Sequence, residues 1–472
     1  MTLVPTAVVA PASSAVARRH LPRRRAQSHH LLYGRAMGRR VEVVIVGGGP
    51  AGLSTALFLS AFAPDLAART VLLERARYPR DKFCAGGVGA RADRLLESVG
   101  VHVEVPSVPL CAVSASWGPG RTLARLEGMG RVVRRFEFDA ALARRSRETP
   151  VELREGVTVS GIRRHPDRLV VDTDRGPIET RAVVGADGVG SIVRRALGLP
   201  RGEIHAQALE LDTEITANDP PRDTIHFDLT DSTLDGYIWD FPTLVDGRPL
   251  VCRGIYHVRV GERGRPSDIE AKLARYLAAR GLDIARCKKK RFAERGIAWA
   301  EPMAAPGVLL IGEAAGIDGL TGEGIAQGIQ YGALAGRYLA ETLGAGRTDF
   351  RTWRSFVKGE RLGQDLALRS LLMRTFYGPD RSVIEPFLAE SSAFYEVALQ
   401  VFAGLAIDPE SVRRLIGEVA RYVGRTGWST LRDWPERRRA FALAREAARH
   451  TGTSPAAATE TAPNGETTEA AQ

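Results

Sequence analysis

At 472 residues, with 44% hydrophobic and 26% charged side chains, the chain has the length and composition of a globular protein with a large core, not of a disordered or fibrous one. The net charge of +11 is concentrated in residues 1–40, which hold eight arginines (Arg18, Arg19, Arg23, Arg24, Arg25, Arg35, Arg39 and Arg40) and no acid. Setting that block's +8 aside leaves +3 for the other 432 residues, too little for a nucleic-acid footprint.

Residues 1–40 read as a disordered basic extension, with Met37 as an alternative start. Their charges follow the apolar stretch 4–17 instead of preceding it, which does not fit a secretory signal, while an Arg-rich, acid-free composition leaves a transit peptide open. Residues 41–46 predict a buried parallel strand, 51–63 an apolar helix ended by Pro64, and 70–74 a second strand. Short strands are expected over 101–127, a helix over 139–148, strand-turn-strand over 151–173 and a buried strand over 182–186. Residues 204–260 predict an antiparallel sheet, 267–280 a helix and 308–311 another buried strand. Beyond Gly322 the pattern is helical to about residue 450, including an amphipathic segment over 409–421 of the kind that usually packs on a core. The tail, 451–472, is disordered on composition. Four cysteines (Cys84, Cys111, Cys252 and Cys287) show no CxxC spacing and no clustering with histidine, which argues for no metal site and a reducing, cytoplasmic setting. No run of 18 apolar residues is present.

The strongest motif is Gly47-Gly48-Gly49-Pro50-Ala51-Gly52, directly after the first strand. Gly47 allows a tight turn, Gly49 lets backbone approach a pyrophosphate, and Gly52 lets helix pack on strand. The helix N-terminus then offers unpaired N–H groups to the phosphates. Glu74, 22 residues after Gly52, is placed to bind a ribose hydroxyl, with Arg75 beside it as a further cofactor contact. A glycine-rich turn alone is common; strand, glycines, helix, strand and acid in that order are not. The unit does not by itself separate FAD from NAD. Two later segments do: Gly185-Ala186-Asp187-Gly188 and Leu310-Ile311-Gly312-Glu313, each after a buried strand.

With these three segments in order, residues 41–338 resemble the FAD-dependent hydroxylase-like superfamily. The resemblance implies an α/β fold: a Rossmann-type FAD-binding domain, an antiparallel-sheet substrate domain and a helical C-terminal region. The expected bounds are 41–200 and 301–345 for the FAD-binding domain, 201–300 for the substrate domain and 346–450 for the helices. It implies cofactor contacts from Arg135, Asp187, Gly312 and Glu313, and from Gly322, Gly324 and Ile325 at a helix start beside the flavin's pyrimidine end. Glu313 stands where the family has aspartate, and Asp318-Gly319 where Asn-Pro is common. An aspartate near a reduced flavin is unfavourable, so Asp318 is expected to point away or to pair with a cation.

Two further segments are similar to the geranylgeranyl reductase family: Pro79-Arg80-Asp81-Lys82-Phe83-Cys84-Ala85-Gly86-Gly87-Val88 and Tyr237-Ile238-Trp239-Asp240-Phe241-Pro242. Tyr237, Trp239 and Phe241 alternate and so share one strand face, as a sheet core or as the wall of an apolar pocket. The resemblance favours the pocket, with Pro242 included. It places Cys84 near the isoalloxazine as a catalytic or proton-relay thiol, with Lys82 expected to lower its pKa. No histidine stands out as a base; His205, His226 and His257 read as structural or surface residues. The implied reaction is reduction of C=C bonds in an isoprenoid or other long apolar polyene, with loose membrane contact. Electrons would come from NADPH or a ferredoxin-like carrier, since no second dinucleotide motif follows a strand. A flavin monooxygenase or halogenase shares these motifs and stays open, as does a non-catalytic flavoprotein that docks partners through its helical region.

Overall fold

Val43–Val46, Ala182–Gly185 and Val308–Leu310 are unbroken apolar runs, the pattern of strands covered on both faces, and all three are buried. They form the centre of a six-stranded sheet ordered Ala304–Ala305, Val308–Leu310, Ala182–Gly185, Val43–Val46, Thr70–Glu74 and Glu152–Glu155. Every pairing is parallel except that of the short Ala304–Ala305 edge strand. The computed structural model describes residues 41–118, 120–200, 202–260, 268–377 and 381–432, with residues 435, 439 and 443. The expected basic extension and the tail 451–472 lie outside the described residues.

A second, eight-stranded sheet runs in the order Lys290–Arg295, Ile204–Thr213, Arg248–Val260, Gly236–Val245, Thr224–Asp228, Ser107–Trp117, Gly120–Val133 and Gly87–Gly89. It is antiparallel apart from the Thr224–Asp228 and Ser107–Trp117 pair. Three of its strands come from residues 87–133, before the expected start of the substrate domain at 201. Strand propensity marks these segments as strands, but which sheet they join is set by non-local pairing. Helices Arg381–Glu390 and Ser392–Ala403 pack on this sheet, and helix Pro409–Arg432 packs on Ser392–Ala403. The helix expected over 139–148 begins earlier, at Arg135. Arg134 is extended at its N-cap, and Arg135 pairs with Asp139 one turn on, so the charge-rich first turn is helical.

Helix Pro50–Phe62 is buried on nearly all sides because helix Ile325–Gly344 lies directly against it. Gly328, Gly332 and Gly336 repeat every four residues and put the two backbones in contact. A Cβ at Gly332 would sit 2.5 Å from Ser54 Cβ and 2.7 Å from Thr55 N, and one at Gly336 would sit 2.8 Å from Leu59 N. Gly332→Val therefore forces the helices apart. It is expected to destabilise by roughly 1–3 kcal/mol or more and to lower the FAD content of the purified protein. Urea unfolding and the visible flavin spectrum check both.

Candidate active site

The turn between the first strand and Pro50–Phe62 is shaped by what its glycines touch. Gly47 has φ +104°, and a Cβ there would lie 2.4 Å from Ala186 O. A Cβ at Gly52 would lie 1.9 Å from Gly47 O, whereas one at Gly49 would meet nothing within 4 Å among the described residues. The first and third glycines thus close the backbone, and the second faces open space. The helix starts without a side-chain cap, so its first-turn N–H groups are left for a ligand. This cradle fits a pyrophosphate. Glu74, buried at the end of its strand, accepts from Gly48 N at 2.8 Å and Ala76 N at 2.9 Å. Arg80 and Tyr78 both donate to Gly48 O, and Arg80 also reaches Asp139 at 3.0 Å. Arg135 holds the same Asp139 through two bonds of 2.7 Å. Arg75 is exposed.

The other cofactor segments converge on this turn. Gly47 abuts Ala186 and Asp187, Gly312 lies against Ala51, and Gly328, one turn into the Ile325 helix, also faces Ala51. Asp187 uses its carboxylate locally, accepting from Ser191 Oγ at 2.5 Å and Ile192 N at 2.6 Å to cap the short helix Ile192–Ala196. Glu313 accepts from Val189 N at 3.2 Å. Gly324 is the N-cap of the Ile325–Gly344 helix, again without a side-chain cap. Two helix N-termini and three glycine-lined strand ends therefore surround one groove, and the donor set suits an extended dinucleotide.

Beyond the groove lies a cavity of about 590 Å³, lined almost wholly by apolar side chains. Tyr237, Trp239 and Phe241 form part of one wall, as their alternation predicts. Trp239 lies flat over Gly254, where a Cβ would come within 2.1 Å of the indole. Pro242 points to the opposite strand face, beside Arg222 and Asp219, and does not line this cavity. Strand alternation is the reason: Pro242 is one residue out of phase. Residues Cys84–Gly87 and Leu320–Ile325 form the end nearest the cofactor groove, and helices Arg361–Phe376 and Ser392–Ala403 close the other side.

The family model for the FAD binding domain matches residues 40–353. A digeranylgeranylglycerophospholipid reductase of Methanothermobacter thermautotrophicus is 30% identical over 71% of this chain and 88% of its own. The chain belongs to the geranylgeranyl reductase family of FAD-dependent oxidoreductases. A menaquinone reductase of Mycobacterium tuberculosis is 27% identical over 81% of this chain and 97% of its own. The fold is shared with a geranylgeranyl bacteriochlorophyll reductase-like protein of Thermoplasma acidophilum, at a TM-score of 0.55 and 18% identity over 81% of this chain and 98% of that one.

The electrostatics of this flavoenzyme's site contain groups that no motif announced. Asp318 does pair with a cation: Arg369 lies 2.7 Å away, and the carboxylate also accepts from Leu320 N at 2.7 Å and Thr321 N at 3.1 Å. Burial would raise this carboxyl, but Arg369 and these bonds hold it below the usual range. Arg369 also meets Glu323 at 3.0 Å and Asp365 at 2.9 Å, and Arg91 meets the same two acids. The flavin-side loop is thus tied to the C-terminal helices by charge. Cys84 departs from expectation: burial pushes its thiol up, with Arg135 opposing and Glu210 adding to the rise. Arg135, not Lys82, is the main charge holding it down. The Lys82 ammonium lies 5.9 Å from the Phe292 ring centroid and opposes the rise of the Glu294 carboxyl. Cys84 N instead donates to Glu210 at 3.0 Å.

Glu210 is buried and pushed up to about 7, chiefly by desolvation, with Lys290 opposing. Its folded pKa exceeds the unfolded one, so the stabilisation it gives is complete below the usual carboxyl range and is lost as pH rises toward 7. Wild-type stability should therefore fall on the order of 3 kcal/mol more than that of Glu210→Gln between about pH 4 and 8. Urea unfolding of both across that range measures it; parallel curves would show that Glu210 is not the group responsible.

Proposed function

We propose that this enzyme reduces C=C bonds of an isoprenoid chain or a similarly long apolar polyene. The observation that carries the reading is the apolar cavity that meets the cofactor groove at Cys84–Gly87 and Leu320–Ile325. Its volume is in the range of small-molecule sites, and its lining suits a hydrocarbon and little else. The names of the two curated relatives, a lipid reductase and a quinone reductase, support the same substrate class.

Bound in its reduced form, FAD supplies a hydride to one carbon of the double bond. Glu74 would hold a ribose hydroxyl, the Gly49 turn and the first-turn N–H groups the pyrophosphate, and Glu313 and Asp187 the region between. Gly322, Gly324 and the N-terminus of the Ile325 helix would stabilise negative charge at the pyrimidine end. Tyr237, Trp239 and Phe241 would orient the chain and exclude water, with Cys84 at the reacting end as a neutral thiol. Electrons would come from NADPH or a ferredoxin-like carrier in the cytoplasm.

Contact with a bilayer follows from the same reading. The amphipathic helix does not bury its apolar stripe as expected from sequence: Val412, Ile416, Val419 and Val423 lie on one face and are exposed, Ile416 by 63%. Val419 and Leu415 also line the cavity, and Arg413 and Arg421 are exposed on the same helix. An interfacial helix at the cavity mouth would let a lipid chain enter from an anionic membrane. Among the described residues no helix is long and apolar enough to cross one.

The decisive experiment is anaerobic. The protein is loaded with FAD, reduced with dithionite, freed of excess reductant and mixed with a geranylgeranyl compound. The oxidised flavin spectrum is expected to return with a saturated product detectable by mass. No return, with fast reoxidation in air through a transient adduct, would instead favour a monooxygenase or halogenase. In flotation with anionic vesicles, Ile416→Glu should lower the bound fraction several-fold; a wild type that stays wholly in the soluble fraction would refute membrane docking.

A further inference from the structure

Most charged groups around the cavity are accounted for. Glu323, Asp365 and Arg369 belong to the paired network described above, and the Tyr237 hydroxyl donates to Thr321 O at 2.5 Å. Glu294 differs. It lies on strand Lys290–Arg295, at the edge of the larger sheet, and lines the cavity at the cofactor end. Its Oε2 is buried and, among the described residues, meets no donor in good hydrogen-bond geometry, the Tyr256 hydroxyl being the one side-chain donor that acts on the carboxyl. The same oxygen lies 2.8 Å from where a Cβ of Gly322 would stand, so it faces the loop that would border the flavin. The end of the strand is tied to the segment that leads into that loop: Ile317 N donates to Arg295 O at 2.9 Å and Ile297 N to Ile317 O at 2.8 Å.

From this placement we propose that Glu294 is the proton donor that completes reduction of the double bond. The inference rests on the function proposed above. As the π bond breaks, one carbon takes the hydride from reduced flavin. The other takes the Glu294 proton: the O–H bond breaks, its electron pair stays on the carboxylate, and a C–H bond forms. The carboxylate is reprotonated from water between turnovers.

The surroundings suit an acid that is protonated at rest and tolerates brief ionisation. Desolvation raises the Glu294 carboxyl well above the usual range, and Glu313 and Asp318 push in the same direction. Lys82 opposes them, the cation placed to stabilise the carboxylate once the proton has left. This gives the lysine of the Arg80–Val88 segment a role other than activating Cys84. Tyr237, Tyr256 and Cys84 are further titratable neighbours, and the Tyr256 hydroxyl also favours the carboxylate by hydrogen bonding. Burial raises all three, so they stay neutral beside Glu294. An acid of this kind contributes about 10²–10⁴-fold to rate.

The test compares wild type, Glu294→Gln and Glu294→Asp, each loaded with FAD and reduced under argon, with geranylgeraniol as the probe. Reoxidation by the probe should be at least ~10²-fold slower in E294Q, while FAD content, visible spectrum and dithionite reduction match wild type. The wild-type rate should be constant at low pH and fall as Glu294 ionises, with a solvent deuterium isotope effect. E294Q should lose both the falling limb and the isotope effect, and E294D should keep the limb at reduced rate. Independently of turnover, the infrared band of a protonated carboxyl at neutral pH should be present in wild type and absent from E294Q. Should E294Q fail to retain FAD, E294D decides, and an unchanged rate in it overturns the proposal. A wild type that the probe reoxidises, paired with an E294Q of equal rate and pH profile, overturns this assignment alone. A wild type that no polyene reoxidises overturns the proposed function, and this assignment with it.

Discussion

The close crossing of helices Pro50–Phe62 and Ile325–Gly344 is the constraint on which the rest of the site depends. One helix carries the phosphate-binding turn at its N-terminus, and the other carries the flavin-side loop at its own. Because Gly328, Gly332 and Gly336 present no side chain, the two backbones meet, and both positive helix ends face the same groove. Ordinary side chains at these positions would push the glycine-rich turn and the Leu320–Gly324 loop apart.

From that fixed frame the substrate cavity follows. The larger sheet supplies a floor of alternating aromatic side chains, and the C-terminal helices supply the cover. The Arg369 and Arg91 network fastens that cover to residues 318–323. Buried ion pairs of this kind add little net stability, since desolvation offsets the attraction, but they are costly to break and so specify one arrangement. Here the arrangement seats the cover on the flavin-side loop. Each of the three carboxylates in the network is paired with at least one of the two arginines, which limits the charge presented to the cavity they border. Cys84 and Glu294 are among the polar groups that line it.

Much of this was legible in the chain. The dinucleotide unit could be read because its parts are local: a buried run, glycines at fixed spacing, an apolar helix and an acid follow one another within about 30 residues. That Asp318 would either turn away or pair with a cation was legible from charge alone, though neither which of the two nor the identity of Arg369, which lies 51 residues away. The shared face of Tyr237, Trp239 and Phe241 follows from strand period, and the same period excludes Pro242 from that face. Lys82 illustrates the opposite case. Two residues from Cys84 in sequence, it is not the charge that chiefly acts on the thiol, which answers to burial, Arg135 and Glu210 instead.

The sequence by itself determined the cofactor class and the reductase family, because those rest on short motifs whose spacing is set by backbone geometry. It also determined the α/β architecture, a Rossmann-type unit with an antiparallel sheet and a helical C-terminal region, through the periods of its apolar residues. Only the tertiary structure decided which strands share the larger sheet, which acid lines the cavity outside the arginine network and which helix keeps its apolar face exposed. Those outcomes depend on register and on packing between segments tens to hundreds of residues apart. Glu294 carries no local mark. It becomes notable only when the Lys290–Arg295 strand is paired beside Ile204–Thr213 and docked on the loop at Ile317.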